Sequence, residues 1–540
     1  MTSFLKQIGF PIVAFMVVIA ALYIGVSTFT TPSVNEALKN NSNLTVVKPL
    51  DPLQKSTNNQ VDEKVVQKLI GANAITVDTS KQYQKMLGFG GFISRFDEPH
   101  MLYGQGQGNP KDIVPEQEKE KILDDVYSDL YLNSITLGIG PRASPSYNWL
   151  SSWELQNDNN DPQTINWNAL RFNRNYYDNL FKTIQNAEKK ITGRGDKLTL
   201  IFKHSWGVEN WLSNEGGNTV IKPALEEEYA ENLVIFILWI KNTYGLEADY
   251  IVPMNEPDGA GGMGSEQYAR IIKYLGPMLE KYNLSTKISG PETYLPSTAP
   301  RYLKAIAADP QAAKYLKLIS FHGYDRDLSV NIHGDANARK EIANYAKILG
   351  ADVIQGELSA CCKENQKTFW NNKYTQAMAW ANDFYFDITN ANAGAVDMQL
   401  SFWQIDDPSA YVLIKYDQNK NYLGYEKAKF YYVLGQFINY IKPGMVRIDA
   451  KSGDEKVLVS AYQDRQTKQV VIVAINNAKE TKNFKIGFVQ SANSPNQISV
   501  IRSSETENWI DLGLVSKNKD GIFEVTLAPS SVTTYSGIGK

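Results

Sequence analysis

Between about residues 84 and 443, short apolar runs alternate with helix-length amphipathic segments, and this alternation leaves few possible folds. Runs at 86–90, 134–139, 198–203, 250–254, 287–290, 318–322, 352–355 and 398–403 have the length and β-branched content of buried strands. Segments at 116–128, 174–189, 225–243, 267–282, 336–349, 369–389 and 425–441 space their apolar residues as helices do. Strands separated by helices lie parallel, because each helix carries the chain back before the next strand begins. Eight such units over roughly 360 residues predict a closed (β/α)8 TIM barrel with long loops. An open doubly wound sheet would have fewer strands and a glycine-rich phosphate turn. Gly88-Phe89-Gly90-Gly91 lacks the GxGxxG spacing, and no P-loop occurs.

The flanks follow other rules. A chain of 540 residues exceeds what one core usually serves, so a second domain is expected. After Pro443-Gly444, runs at 457–462, 470–475, 484–488, 498–502 and 523–527 alternate with no helix between them. They predict an antiparallel β-sandwich over 444–540, with the segment 74–83 adding a strand to it and the barrel occupying 84–443. Residues 8–29 contain no charge, enough for a helix to cross the ~30 Å of a bilayer's hydrocarbon core. Lys6 precedes this run and Glu36 is the first charge after it, which orients the rest of the chain outward. Residues 1–30 are therefore read as a signal anchor, with a cleaved signal peptide as the alternative. Residues 31–73, rich in Asn, Ser, Thr and Pro, are read as a flexible linker. The body is expected to be exported, either membrane-anchored and facing outward or secreted.

Composition excludes more than it assigns. A net charge of −3 gives no reason to expect nucleic acid. The two cysteines, Cys361 and Cys362, are adjacent, so no disulfide framework is expected. Four histidines, at 100, 204, 322 and 333, form no HExxH, and no metal or cofactor is expected. The 30 Tyr and 10 Trp offer flat faces with polar tips, which suit sugar rings as well as barrel cores.

Barrel enzymes place their chemistry at the C-terminal ends of the strands. The fourth run ends in Asn255-Glu256-Pro257 and the seventh in Gly356-Glu357. Strands four and seven stand across the barrel mouth from each other, so the two carboxylates would face one another. Cleavage of a glycosidic bond needs such a pair, one carboxyl to protonate the leaving oxygen and one to attack or to guide water.

These residues carry a resemblance to glycoside hydrolase family 30, within the clan of barrel glycosidases with carboxylates on strands four and seven. Gly88-Phe89-Gly90-Gly91-Phe92 resembles the family's opening glycine motif, Asn255-Glu256-Pro257-Asp258 its acid/base motif and Gly356-Glu357 its nucleophile position. The segment from Lys429 to Phe437 with Ile441-Lys442-Pro443-Gly444 resembles its closing helix, and Ala528-Pro529-Ser530-Ser531-Val532-Thr533-Thr534 its last sandwich strand. The resemblance spans about 74 to 537 and implies a retaining β-glycosidase, with Glu256 as acid/base and Glu357 as nucleophile. It implies that Asn255 binds the sugar 2-hydroxyl and that Tyr324 hydrogen-bonds the nucleophile. His322, Trp206, Trp211 and Trp403 are candidates to line the site or stack a sugar, and Arg142 to orient a carboxylate; each could equally be structural. The partner is then a β-linked polysaccharide, oligosaccharide or glycolipid. The family range covers glucosylceramide, xylan and β-1,6-glucan or galactan cleavage. The loops at 94–110 and 259–264 and the sequence Leu358-Ser359-Ala360-Cys361-Cys362 depart from the pattern, and leave the substrate and the exo or endo mode open. The alternative function is a membrane-anchored glycan-binding protein on a barrel that no longer catalyses.

Overall fold

The computed structural model describes residues 73–539, apart from 94–101, 103–113, 141–151, 205–206, 214–218, 260–261, 326–333, 360–372, 405–408, 420 and 490–493. Eight parallel strands close into a barrel: Gly88–Phe92, Ser134–Ile139, Thr199–His204, Tyr250–Val252, Lys287–Thr293, Leu316–His322, Asp352–Leu358 and Ala395–Met398. The first pairs with the eighth, Gly88 opposite Ala395, which closes the ring. Helices Arg174–Gly193, Glu226–Tyr244, Ser265–Lys281, Ala336–Leu349 and Lys373–Asn390 pack their apolar faces on its outside. Ala299–Ala308 and Pro310–Tyr315, between strands five and six, are two helices that the periodicity did not announce.

Nine further strands form one curled sheet around a separate apolar core of Ile75, Val77, Ile448, Val459, Ile472, Phe484 and Phe523 among others. The strand Ala74–Lys85 enters this sheet before the barrel begins, pairing with Val446–Ser452. It departs from an antiparallel sandwich in one respect: it runs parallel to Lys482–Phe488. Both sides of the junction share backbone bonds, from Met86 N–H to Met445 O at 2.7 Å and from Gly444 N–H to Met86 O at 2.8 Å.

The closing helix Lys429–Ile438 presses on the sheet through Gly435. A Cβ there would stand 2.3 Å from the Trp509 ring, whose indole N–H donates to Tyr432 O at 2.7 Å. Glycine at this position lets the helix and the tryptophan meet face to face.

Two sequence expectations are corrected here. The apolar run at 398–403 spans a break: the eighth barrel strand ends at Met398, and Gln399 N–H turns to Leu358 O at 2.8 Å. Leu400–Gln404 then joins a separate three-stranded sheet with Ala410–Tyr416 and Tyr422–Lys427. The helix expected over 425–441 begins only at Lys429, because Tyr425 is held in that sheet opposite Ile414. The candidate membrane run lies outside the described residues. Among the described residues, no helix is long and apolar enough to cross a membrane.

Candidate active site

Side chains alternate along a strand, so every second residue points into the barrel. Low in the barrel the inward layer is apolar, with Ile201, Val252, Leu318, Ile354 and Ala395 in one buried cluster. Two residues further along three of these strands the layer turns polar, at Lys203, Ser320 and Asp397, and His322 follows two residues beyond Ser320. The interior thus passes from a hydrocarbon floor to a charged layer beneath the mouth.

Lys203 is the hub of that layer. Its ammonium, 1% exposed, is ion-paired with Glu292 and lies 3.4 Å from Glu357 Oε2. It also donates to Gly356 O at 3.4 Å. His322 Nδ1 is 2.9 Å from Glu256 Oε1, and its Nε2 is 3.0 Å from Glu292 Oε1 and 3.7 Å from Glu357 Oε2. The Tyr324 hydroxyl donates to Glu357 Oε1 at 2.7 Å, and the Gln399 amide to the same oxygen at 3.4 Å. Asp397 accepts from the hydroxyls of Ser134 and Thr136 at its Oδ2, at 3.2 and 3.1 Å, and also feels the Lys203 charge.

The backbone is bent to make this arrangement. Glu256 and Glu292 have φ of 45° and 55°, in the left-handed region where side chains with a Cβ are disfavoured. Such residues cost about 1–3 kcal/mol each and persist where their surroundings over-determine them. Here Glu256 N–H donates to Glu292 O at 3.0 Å, so each bend holds the other. Gly356 is required by the same packing, since a Cβ on it would stand 2.2 Å from Glu292 Oε1.

The electrostatics separate the two carboxylates. Burial raises the Glu256 carboxyl above its ordinary 4.5; His322 offsets part of this, and Glu357 and Asp258 add to the rise. Burial would raise Glu357 too, but His322, Lys203 and the Tyr324 hydroxyl outweigh it and hold this group below 4.5. Glu292 is pushed further down, because Lys203 and His322 overcome its burial. His322 pays for burial through its neighbours: Glu357, Glu256 and Glu292 carry it up to about 9. This favours the imidazolium, which donates one N–H to Glu256 and one to Glu292, against the Lys203 ammonium 3.4 Å from Nε2 that opposes it. The Glu256 side chain is 17% exposed, whereas Glu357 is 7% exposed, so Glu256 is the more solvent-facing of the pair.

One carboxylate oxygen of Glu256, one of Glu357 and a ring nitrogen of His322 lie within 4.8 Å of one another. These are metal-ligand types, but here the positive charge facing the carboxylates comes from His322 and Lys203.

Of the residues marked in the sequence, Glu256, Glu357, His322 and Tyr324 come together. Asn255 is buried beside them, its N–H donating to His204 O at 2.8 Å. Trp403 does not cap the eighth barrel strand; it sits in the neighbouring three-stranded sheet and is 1% exposed. Trp211 donates its indole N–H to Glu154 O at 2.8 Å and packs against the core. Trp206, Arg142 and the Cys361-Cys362 pair lie outside the described residues. Sequence reasoning missed Lys203, Glu292, Asp397 and Gln399. A lysine near the end of the otherwise apolar strand Thr199–His204 was the one available signal.

No protein-family model matches the chain. Its sequence is 24% identical over 451 residues to the provisionally named glucosylceramidase 4 of Caenorhabditis elegans, covering 78% of this chain and 80% of that one. It is 24% identical over 391 residues to glucuronoxylanase XynC of Bacillus subtilis, covering 70% and 82% respectively. In fold it matches the family 30 subfamily 8 xylanase Xyn30A of Clostridium acetobutylicum, with a TM-score of 0.61 at 22% identity. That match covers 86% of this chain and 100% of the xylanase chain.

Proposed function

We propose that this chain, which belongs with glycoside hydrolase family 30, hydrolyses a β-glycosidic bond by double displacement. The observation that carries this reading is the separation of the two carboxylates. Oxygens of Glu256 and Glu357 within 4.8 Å of each other support the ~5–5.5 Å spacing of carboxyl groups in retaining enzymes over the ~6.5–9.5 Å of inverting ones. In the first step Glu256 protonates the glycosidic oxygen while Glu357 attacks the anomeric carbon, and the aglycone leaves as an alcohol. In the second, Glu256, now a carboxylate, takes a proton from water, whose oxygen displaces Glu357 from the anomeric carbon. His322 binds Glu256 Oε1, which leaves Oε2 to carry the transferred proton. The proton transferred in step one makes Glu256 anionic, and the His322 cation beside it stabilises that charge.

The test is turnover by the 540-residue chain of aryl β-glycosides, glucuronoxylan, β-1,6-glucan and glucosylceramide, with the anomer of the first-formed product read by NMR. Retained configuration supports the mechanism, and inverted product overturns it. Glycan binding without turnover by the intact pair would instead support a binding protein. The apolar run at 8–29 supports an exported location, either membrane-anchored or secreted, and whether the chain sediments with the membrane fraction or appears in the medium would test which.

The pH dependence follows from the two directions of shift. Glu357 must be ionised and its pKa is lowered, so activity is lost on the acid side only below the ordinary carboxyl range. Glu256 must be protonated and its pKa is raised, so activity is lost on the alkaline side above that range. A bell-shaped profile of kcat/KM is expected, with its limbs belonging to the coupled pair. Glu256→Gln, measured on an aryl glycoside whose leaving group needs no proton, should lose the alkaline limb.

Tyr324→Phe removes a 2.7 Å hydrogen bond to Glu357. A hydrogen bond to a charged group contributes about 1.5–3 kcal/mol, so kcat should fall about 10- to 100-fold. The acid limb should also move to higher pH. An unchanged acid limb would show that the hydroxyl does not act on the nucleophile.

A further inference from the structure

A second group of carboxylates lies outside the barrel mouth. Asp158 belongs to the long loop between barrel strand two and helix Arg174–Gly193. Glu228 and Glu231 lie three residues apart on helix Glu226–Tyr244, so they occupy one face of it. The three offer carboxylate oxygens within 4.8 Å of one another, and all three residues are buried. Among the described residues no Lys, Arg or His pairs with any of them.

The hydrogen bonding is lopsided. Asp158 Oδ2 accepts from Asn166 N–H, while its Oδ1 has no partner. Glu228 Oε2 has none, and neither oxygen of Glu231, a residue 1% exposed, has one. The adjoining Glu154 is already engaged, accepting from Asp158 N–H at 3.1 Å and from Asn232 Nδ2 at 2.7 Å. The Asn157 side chain hydrogen-bonds Glu228, while its Oδ1 is without a partner. Asp158, Glu228 and Glu231 thus bring carboxylate oxygens within 4.8 Å of one another, the Glu228 and Glu231 carboxyls close enough to share a proton. Buried carboxylates repel at this distance and are normally paired or bound to a metal.

We propose that Asp158, Glu228 and Glu231 hold a divalent cation of the calcium class, which fastens the loop after strand two to the helix after strand three. The donors are all oxygen, with no His or Cys, which selects hard cations over zinc. Calcium takes about six to eight oxygens at ~2.3–2.6 Å, a number that three carboxylates, Asn157 Oδ1 and water can supply. The cation neutralises the cluster and takes the place of the proton between Glu228 and Glu231. Its role is to position the loop, since the catalytic pair stands on other strands. The loop leads directly from the end of barrel strand two, at the face where Glu256 and Glu357 stand, so its position bears on the shape of that mouth.

The test uses the 540-residue chain, stripped with EDTA and desalted, then titrated with calcium chloride by calorimetry and by thermal melting. One calcium per chain and a melting temperature that climbs with calcium concentration are expected. Glu231→Gln and Glu228→Gln should each abolish the response. Asn157→Asp adds a carboxylate at the part-exposed rim and should tighten calcium binding by at least tenfold, which keeps the test decisive if the other variants do not fold. The proposal is overturned if millimolar calcium neither binds nor shifts the melt. It is also overturned if binding survives in Glu231→Gln and Glu228→Gln, or if Asn157→Asp leaves the affinity unchanged. A melting temperature raised by Glu231→Gln without calcium would show that the carboxyls are held by protons instead.

Discussion

Glu357→Gln should reduce turnover of any substrate by about 10⁴- to 10⁶-fold while leaving the fold and substrate affinity nearly intact. The reason lies in the geometry around this side chain. Glu357 is the carboxylate that receives the hydroxyl of Tyr324, the amide of Gln399 and the charge of Lys203 and His322. All four favour its ionised form, which is the form that can attack carbon. An amide of the same shape keeps most of the packing but has no anionic oxygen, so no glycosyl ester forms. Formate or azide added to Glu357→Ala should restore part of the activity by filling the space of the lost carboxylate, and the product should carry inverted configuration. The same additives should do nothing of the kind for Glu256→Ala with retained Glu357, where azide would instead attack the ester and give a retained glycosyl azide. If Glu357→Gln kept more than about one hundredth of wild-type turnover, the nucleophile would have to be another residue.

Lys203→Met has the second-largest expected effect, on stability as well as on rate. Lys203 is 1% exposed, and its ammonium faces Glu292, also 1% exposed, and Glu357. Removing one member of a buried ion pair leaves the other charge uncompensated, which costs about 3–5 kcal/mol. Glu292 would then take up a proton or withdraw from His322, while the loss of the Lys203 charge, which lowers the His322 pKa, would favour the His322 cation. Glu357 would lose the cation nearest its Oε2, so its pKa should rise and the acid limb of kcat/KM should move to higher pH. The double variant Lys203→Met with Glu292→Gln removes both charges. It should regain much of the stability but not the rate, because Glu357, the proposed nucleophile, still lacks its cation. Chemical denaturation and the pH profile of Lys203→Met, Glu292→Gln and the double variant separate these effects. Additive losses of stability in the double variant would show that the two residues do not form a pair.

The extent to which this site was legible in the sequence differed from residue to residue. Glu256 and Glu357 were visible because each follows an apolar run whose length marks it as a buried parallel strand, and barrel topology fixes where such strands end. Tyr324 and His322 were visible for the same reason, two positions apart at the end of strand six. Lys203 was hidden because it precedes the strand end by one residue, at Thr199–His204, and a lysine there reads as the place where a strand meets solvent. Glu292 was hidden because strand five continues past the expected boundary, to Thr293, through a bend at positive φ. Trp403 was misplaced because one apolar run contained two strands, and hydrophobicity does not mark a change of sheet.

Periodicity therefore determined the architecture by itself: a parallel barrel joined to a β-rich C-terminal part follows from where apolar residues recur, since each element must bury one face. The two carboxylates also followed, since strand order places the ends of strands four and seven opposite each other. Only the tertiary structure decided what surrounds them. Lys203, Glu292 and His322 come from three strands separated in sequence by 30 to 119 residues, and their charges act through distances of a few ångströms. Coulomb interactions and burial depend on positions in space, and those are set by the bends at Glu256 and Glu292 and by Gly356, which makes room for a carboxylate.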